Sequence, residues 1–151
     1  MTIRSIAKAA IIAALYVVLT LAFAPFSYGP IQVRVSEMLT VLPIFFIEAI
    51  PGLFIGCLLA NVLGGLGLWD IIGGSLVTLL AAIGTYWLRR TWFAYACPIV
   101  ANAFLVSAYL APMFGVPYWI TALYIGLGEA IAVCAFGIPL VIILRKRLEK
   151  R

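Results

Sequence analysis

Histidine is absent from this chain, and its three cysteines, Cys57, Cys97 and Cys134, stand far apart with no pair at metal-ligand spacing. A zinc site has no ligand set to draw on, and imidazole acid–base chemistry is unavailable. The cysteines read as small apolar residues packed between helices. Charge is scarce as well: 10% of the 151 residues are Asp, Glu, Lys or Arg, against about 25% in a soluble domain. Six of those charges crowd into residues 145–151, which leaves nine for the first 144 positions. So little polar surface excludes both a water-soluble globule and a disordered chain. There is no GxxxxGK[ST] phosphate loop and no GxSxG nucleophile elbow, so neither ATP hydrolysis nor acyl transfer is expected of the chain, and no cofactor is called for.

Apolar residues fill the space, at 66% of the chain. Long apolar runs recur, and each reads as a membrane span. At about 20 residues per span, six spans use about 120 residues and leave about 30 for connections. The expected fold class is an all-α membrane protein, a bundle of six transmembrane helices forming one domain over residues 1–151. The spans are predicted near Ser5–Ala24, Met38–Ile50, Leu53–Leu63, Ile71–Leu88, Phe93–Ala111 and Tyr118–Leu144. Pro43 interrupts the second, Pro51-Gly52 punctuates the chain after it, and Pro112 to Pro117 forms a turn. The first run is followed by Ala24-Pro25-Phe26, not by a small-residue cleavage site, so it is expected to stay as a span.

The net charge of +5 is a topology signal here. Residues 145–151 carry +4 of it, directly after an apolar helix, as cytoplasmic flanks do; no basic face is left to bind nucleic acid. Arg4 and Lys8 place the N-terminus inside, and with six spans Arg89-Arg90 and the C-terminal tail also fall inside. The segments Ser27–Glu37, Gly64–Asp70 and Pro112–Pro117 then lie outside.

Ionisable groups within such spans are costly, about 2.5–3.5 kcal/mol each on insertion scales, and mark function by default. Glu129 lies about eleven residues into the last span, about 16 Å below its outer end. It shares a face with Tyr118, Ala122 and Ile125, so an outward-opening groove can reach it. It binds a ligand, or else pairs with Arg34 or stays protonated. Asn102 sits in the fifth span with Tyr109 seven residues on; its amide serves a ligand or a neighbouring helix. Asp70 is a ligand contact or a helix N-cap. Trp69, like Tyr118 and Trp119, is a stacking residue or part of an interfacial belt. Asn61 is a weaker candidate near the end of the third span. Arg34 and Glu37, three apart at the lip of the second span, form an exposed ion pair worth little or line and close a pocket. Glu48, near the inner end of that span, reads as a flank or partner contact. In the first span Ala9/Ala13 and Ala10/Ala14 place small residues four apart. Such stripes let another helix approach closely, either a partner's or one of the chain's own.

Two stretches, IQVRVSEMLTVLPIFF (Ile31 to Phe46) and PGLFIGCLLANVLGG running through LGLWDIIGGSLVTLLAA (Pro51 to Ala82), carry a resemblance that extends over essentially the whole chain. The sequence resembles the QueT family of queuosine-precursor transporters, substrate-binding (S) components of energy-coupling-factor importers. The resemblance implies a six-helix protein of the prokaryotic plasma membrane with an outward-facing pocket. It implies association with a membrane coupling subunit and two cytoplasmic ATPases, docking through an alanine surface on the first helix, and toppling to release the cargo inside. The implied ligand is a 7-deazaguanine, as free base or queuosine-type derivative. A carboxylate such as Glu129 suits its adjacent N–H donors, Trp69 or Tyr109 its ring, and Asp70 or Glu37 an aminomethyl group. The segment bearing Gly29-Pro30, Arg34 and Glu37 is expected to act as a lid. Three alternatives stand beside this: an S component for another micronutrient, an intramembrane enzyme using Glu129 and Asp70, and a self-sufficient transporter. The last lacks the internal repeat that such transporters show.

Overall fold

The computed structural model describes residues 2–28, 33–65 and 67–150. Among these every regular element is helical. Six apolar segments follow one another: α1 (Ile3–Ala22), α2 (Val35–Ile44), α3 (Ala49–Gly64), α4 (Asp70–Trp87), α5 (Phe93–Phe114) and α6 (Tyr118–Leu148). A four-residue helical turn, Ala24–Ser27, follows α1. α1, α4, α5 and α6 are long and apolar enough to cross a membrane, while α2 and α3 are shorter apolar helices.

Local chemistry sets the ends. Thr2 caps α1 by accepting the Ser5 N–H at 3.3 Å. α3 and α5 end where Gly65 (φ 70°) and Gly115 (φ 67°) adopt the left-handed conformation, and their N–H groups close on Asn61 O and Ala111 O. Three expectations shift. The second span ends at Ile44 instead of Ile50. Pro51-Gly52 opens a helix instead of breaking the chain, since a proline in the first turn loses no helical hydrogen bond. Pro112 lies inside α5, which runs on to Phe114.

α2 is a 3₁₀ helix ten residues long, where runs beyond three or four are uncommon. At about 2.0 Å per residue it reaches about 20 Å, further than an α-helix of equal length. The Thr40 hydroxyl donates to Glu37 O at 2.6 Å, and Pro43 supplies no N–H. Close packing holds its far side: a methyl group added at Gly137 of α6 would stand 3.1 Å from Val41 Cγ1.

α1 and α3 cross at contact distance through small residues. A methyl group on Gly52 would stand 2.7 Å from Ala9 O, and one on Gly56 would stand 2.8 Å from Tyr16 Cβ. Ala9 and Ala13 are therefore buried inside the molecule, while Ala10 and Ala14 face outward. The expected alanine surface is thus two stripes: one packs the chain's own helices, the other is open. Ile12, Tyr16, Leu39, Leu53, Cys57 and Ala82 form the core between α1, α2, α3 and α4. Val77, Val106, Leu110 and Ile125 form a second core between α4, α5 and α6. Large apolar side chains such as Ile11, Val18, Leu59, Leu80 and Leu123 are exposed on the outside, as befits a surface solvated by lipid.

Three of the long helices carry a π-helical stretch: Asp70–Gly74 in α4, Asn102–Val106 in α5 and Ile131–Gly137 in α6. Such widened turns are rare and concentrate at functional sites. Two begin on a polar residue singled out from the sequence, and the third begins two residues after Glu129.

Candidate functional site

Arg34, just ahead of α2, is buried and turns inward. Its Nη2 lies 3.2 Å from Asp70 Oδ2 and 3.4 Å from Oδ1, and its Nε donates to Ser27 O at 3.3 Å. The Tyr28 ring lies against the guanidinium, 5.8 Å from centroid to Cζ. Asp70 is fully buried and needs every one of its partners. Tyr109 of α5 donates its hydroxyl to Asp70 Oδ1 at 2.9 Å, and Asn61 of α3 donates Nδ2 to Asp70 O at 2.8 Å. Asp70 is therefore the hub of a network joining α3, α4, α5 and the approach to α2. It makes no side-chain cap, contrary to one of its two expected roles.

The glycines of α4 make room for this hub. A methyl group on Gly74 would meet Asn61 Nδ2 at 2.8 Å and Tyr109 Oη at 3.0 Å, and one on Gly73 would meet Tyr109 Cε1 at 3.2 Å.

Beside the hub lies a small cavity lined by Arg34, Glu37, Thr78, Asn102, Ile125 and Glu129, with Gly74 and Val106 completing the wall. Glu37 comes from α2, Thr78 from α4, Asn102 from α5 and Glu129 from α6. The Tyr16 hydroxyl donates to Glu37 Oε1. Glu37 Oε2, Glu129 Oε2 and Asn102 Nδ2 are buried with no hydrogen bond of good geometry, and the Asn102 amide lies close to both carboxylates. An unsatisfied buried polar atom costs about 1–3 kcal/mol, and more when charged. Three of them around one cavity single it out as the candidate binding site. The cavity holds only about 10 Å³, about the room for a single water. A drug-sized ligand needs about 300 Å³ or more, so the helices around it must move apart to admit one.

The sequence candidates sort cleanly by place. Arg34, Glu37, Asn102 and Glu129 meet in the cavity. Asp70, Asn61 and Tyr109 stand behind it, orienting Arg34 and one another. Arg34 and Glu37 do not form an ion pair at a lip: both are buried, and the guanidinium pairs with Asp70 instead. Trp69 is 76% exposed and points away from the cavity, because its neighbour Asp70 takes the inward position. Gly29-Pro30 lies outside the described residues. Glu48 lies 3.0 Å from Lys8 Nζ, at the opposite end of the molecule. Glu129 does not stand alone as the sequence implied, because the fold brings Glu37 to the same cavity.

Tyr16 and Thr78 were missed. Both left a trace: Tyr16 and Thr20 are the polar interruptions in the body of α1, and Asp70, Gly74 and Thr78 recur every four residues on one face. Among the described residues no group of His, Cys, Asp and Glu is placed to hold a metal ion.

Apolar helices long enough to span a bilayer, a lipid-facing exterior and a small polar cavity between the helices define a multi-pass cell-membrane protein. Residues 6–146 match the family model described as QueT transporter, and the chain belongs to that family. It is 32% identical to the queuosine precursor transporter QueT of Lactococcus lactis subsp. cremoris (strain MG1363), with 80% of each chain covered. No solved structure gives a significant match.

Proposed function

We propose that this chain is the substrate-capture subunit of an energy-coupling-factor importer, binding a 7-deazaguanine, a queuosine precursor or queuosine or queuine itself, from outside the cell. The observation that carries the proposal is the buried convergence of two carboxylates, Glu37 and Glu129, and the Asn102 amide on one cavity, with Glu37 Oε2, Glu129 Oε2 and Asn102 Nδ2 making no hydrogen bond of good geometry. Guanine-like bases present adjacent N–H donors that a carboxylate accepts in pairs, and a ring carbonyl that an amide N–H satisfies. In this reading Glu129 takes the donor edge and Asn102 the carbonyl, while Arg34, Asp70, Tyr109 and Asn61 form the frame that holds the cavity wall.

The whole chain forms one transmembrane domain with six spans and both ends in the cytoplasm. Support comes from Arg4 and Lys8, Arg89-Arg90 and the basic C-terminal tail, which a six-span path gathers on one side. The cavity residues belong to the other half of the bundle, where α1 and α3 end and α4 and α6 begin. The segment bearing Arg34 and Glu37 serves as the lid over the cavity.

The chain runs no chemistry and holds no cofactor. ATP is hydrolysed by two cytoplasmic partner subunits, reached through a membrane coupling subunit. The outward alanines Ala10 and Ala14 supply the docking face, as part of an open groove floored by Ala9 and Ala13 and completed by Ile6, Pro51, Ile55 and Leu59. Screening the purified protein by thermal shift and native mass spectrometry against queuine, queuosine and their 7-deazaguanine precursors tests the ligand class. Uptake into vesicles with and without the coupling subunit and ATPases tests the assembly. Binding of a deazaguanine and partner-dependent uptake are expected; uptake by the chain alone would contradict the second half.

A further inference from the structure

α1 and α6 each pack on α2 and leave a gap between them. At the end of the bundle where α1 begins and α6 ends, this gap is an open groove of about 330 Å³. Ile11 and Leu15 of α1, Leu39 and Phe46 in and just after α2, and Leu140 and Leu144 of α6 line it. Its walls are apolar except at one end, where Lys8 stands. Ile11 and Leu15 are large yet exposed, so the groove is a seam open to the bilayer. Lys8 Nζ lies 3.0 Å from Glu48 Oε1 and 5.4 Å from the centroid of the Phe46 ring, which holds the ammonium over the mouth. An ammonium has three N–H donors, and Glu48 engages one of them. Arg4, one turn earlier on the same face of α1, is exposed, and so is Arg147, three residues beyond Leu144 on α6. The described residues of these two helix ends carry Arg4, Lys8, Arg145, Lys146, Arg147 and Lys150, against Glu48 beside Lys8 and Glu149 in the tail. The seam thus ends in an excess of positive charge.

We propose that this seam seats one phospholipid with an anionic headgroup, an acyl chain lying between α1 and α6 and the headgroup meeting Lys8, Arg4 and Arg147. Each half of the site matches one half of such a lipid. From Lys8 to Leu15 the groove follows α1 for about 10 Å, and a hydrocarbon tail laid there gains close contact along both helices. At the mouth, a cluster of basic side chains between transmembrane helices is the kind of site that anionic headgroups occupy. A zwitterionic lipid fills the groove equally well but brings its own ammonium toward these cations, so charge separates the two. A partner's apolar helix would fill the groove without using the cations at all. The seam shares no lining residue with the polar cavity or with the Ala10/Ala14 groove, so the lipid leaves both of them free.

Native mass spectrometry of the purified full-length protein, taken from vesicles of equal phosphatidylglycerol and phosphatidylcholine, reads the occupant. One retained lipid per chain is expected, phosphatidylglycerol over phosphatidylcholine by about tenfold or more. Lys8→Gln should cut that preference about fivefold, the share of one cation near a charged membrane surface. Leu15→Trp fills the groove from an exposed position and should lose the retained lipid. Arg89→Gln/Arg90→Gln removes as basic a pair from the α4–α5 turn and should change nothing. Equal retention of the two lipids by the unaltered protein overturns the proposal. So does an equal loss of preference in Lys8→Gln and in Arg89→Gln/Arg90→Gln, which is the behaviour of any basic surface. Lipid retained undiminished in Leu15→Trp overturns the site, and loss of coupling-subunit binding in that same variant would make the groove a partner's seat instead.

Discussion

Arg34 Nη2 and Asp70 Oδ2 stand 3.2 Å apart with both side chains buried, so the chain just ahead of α2 is tied to the first turn of α4. A buried pair of this kind adds little net stability over apolar residues of the same shape, but breaking it strands a charge. Arg34→Ala is expected to destabilise the protein by about 3–5 kcal/mol. The double variant Arg34→Met/Asp70→Leu should recover at least half of that. Thermal unfolding in detergent, run as a double-mutant cycle, measures it; additive losses would mean that the pair is not coupled.

Gly74 is where the hub tolerates no side chain. A methyl group there would press on Asn61 Nδ2 at 2.8 Å and Tyr109 Oη at 3.0 Å. Gly74→Ala should cost about 1–3 kcal/mol, as overpacking of a close-fitted interior does, despite alanine's better helix propensity. The same melting experiment decides it, and an unchanged or raised melting temperature would show that α4 and α5 can slide apart freely.

The two alanine stripes of α1 part under substitution. Ala9→Trp must drive a ring into α3 at Gly52 and is expected to prevent folding. Ala10→Trp and Ala14→Trp project outward and should leave ligand binding intact while abolishing complex formation and ATP-driven uptake. Pull-down with the coupling subunit beside a binding assay on the isolated chain reads both. Loss of ligand binding in the outward variants would place that stripe inside the molecule.

Much of this arrangement was legible from residue type alone. Scarce charge and apolar runs announce an all-helical membrane protein, an ionisable residue inside a span singles out Glu129, and a buried amide singles out Asn102. Partnership was not legible. Arg34 and Glu37, three residues apart, look like each other's partners, yet the fold sends one to Asp70 and the other to Tyr16. Arg34 stands just ahead of α2 with extended backbone, so the helical i, i+3 alignment that would bring the two side chains together does not apply to them. No composition or periodicity announces a ten-residue 3₁₀ helix. The π-helical turns at Asp70, Asn102 and Ile131 are equally silent in the sequence, because they arise when helices with inward polar groups must pack together. Trp69 was misplaced for a simpler reason: adjacent residues on a helix point about 100° apart, and Asp70 claimed the interior.

A cavity of about 10 Å³ requires motion before a ligand of deazaguanine size can enter. The segment bearing Arg34 and Glu37, tied to α4 by the Arg34–Asp70 pair, is the expected lid. Backbone hydrogen exchange from Val33 to Glu37 should slow when ligand is bound. Identical exchange with and without ligand would assign the opening to another element.

The central claim is that Glu129 holds the ligand's donor edge, and titration calorimetry of purified wild-type and Glu129→Gln protein with the 7-deazaguanine found to bind tests it most directly. Loss of about 2 kcal/mol or more of binding free energy is expected, roughly thirtyfold in affinity, with the fold preserved. Unchanged affinity in Glu129→Gln would contradict it.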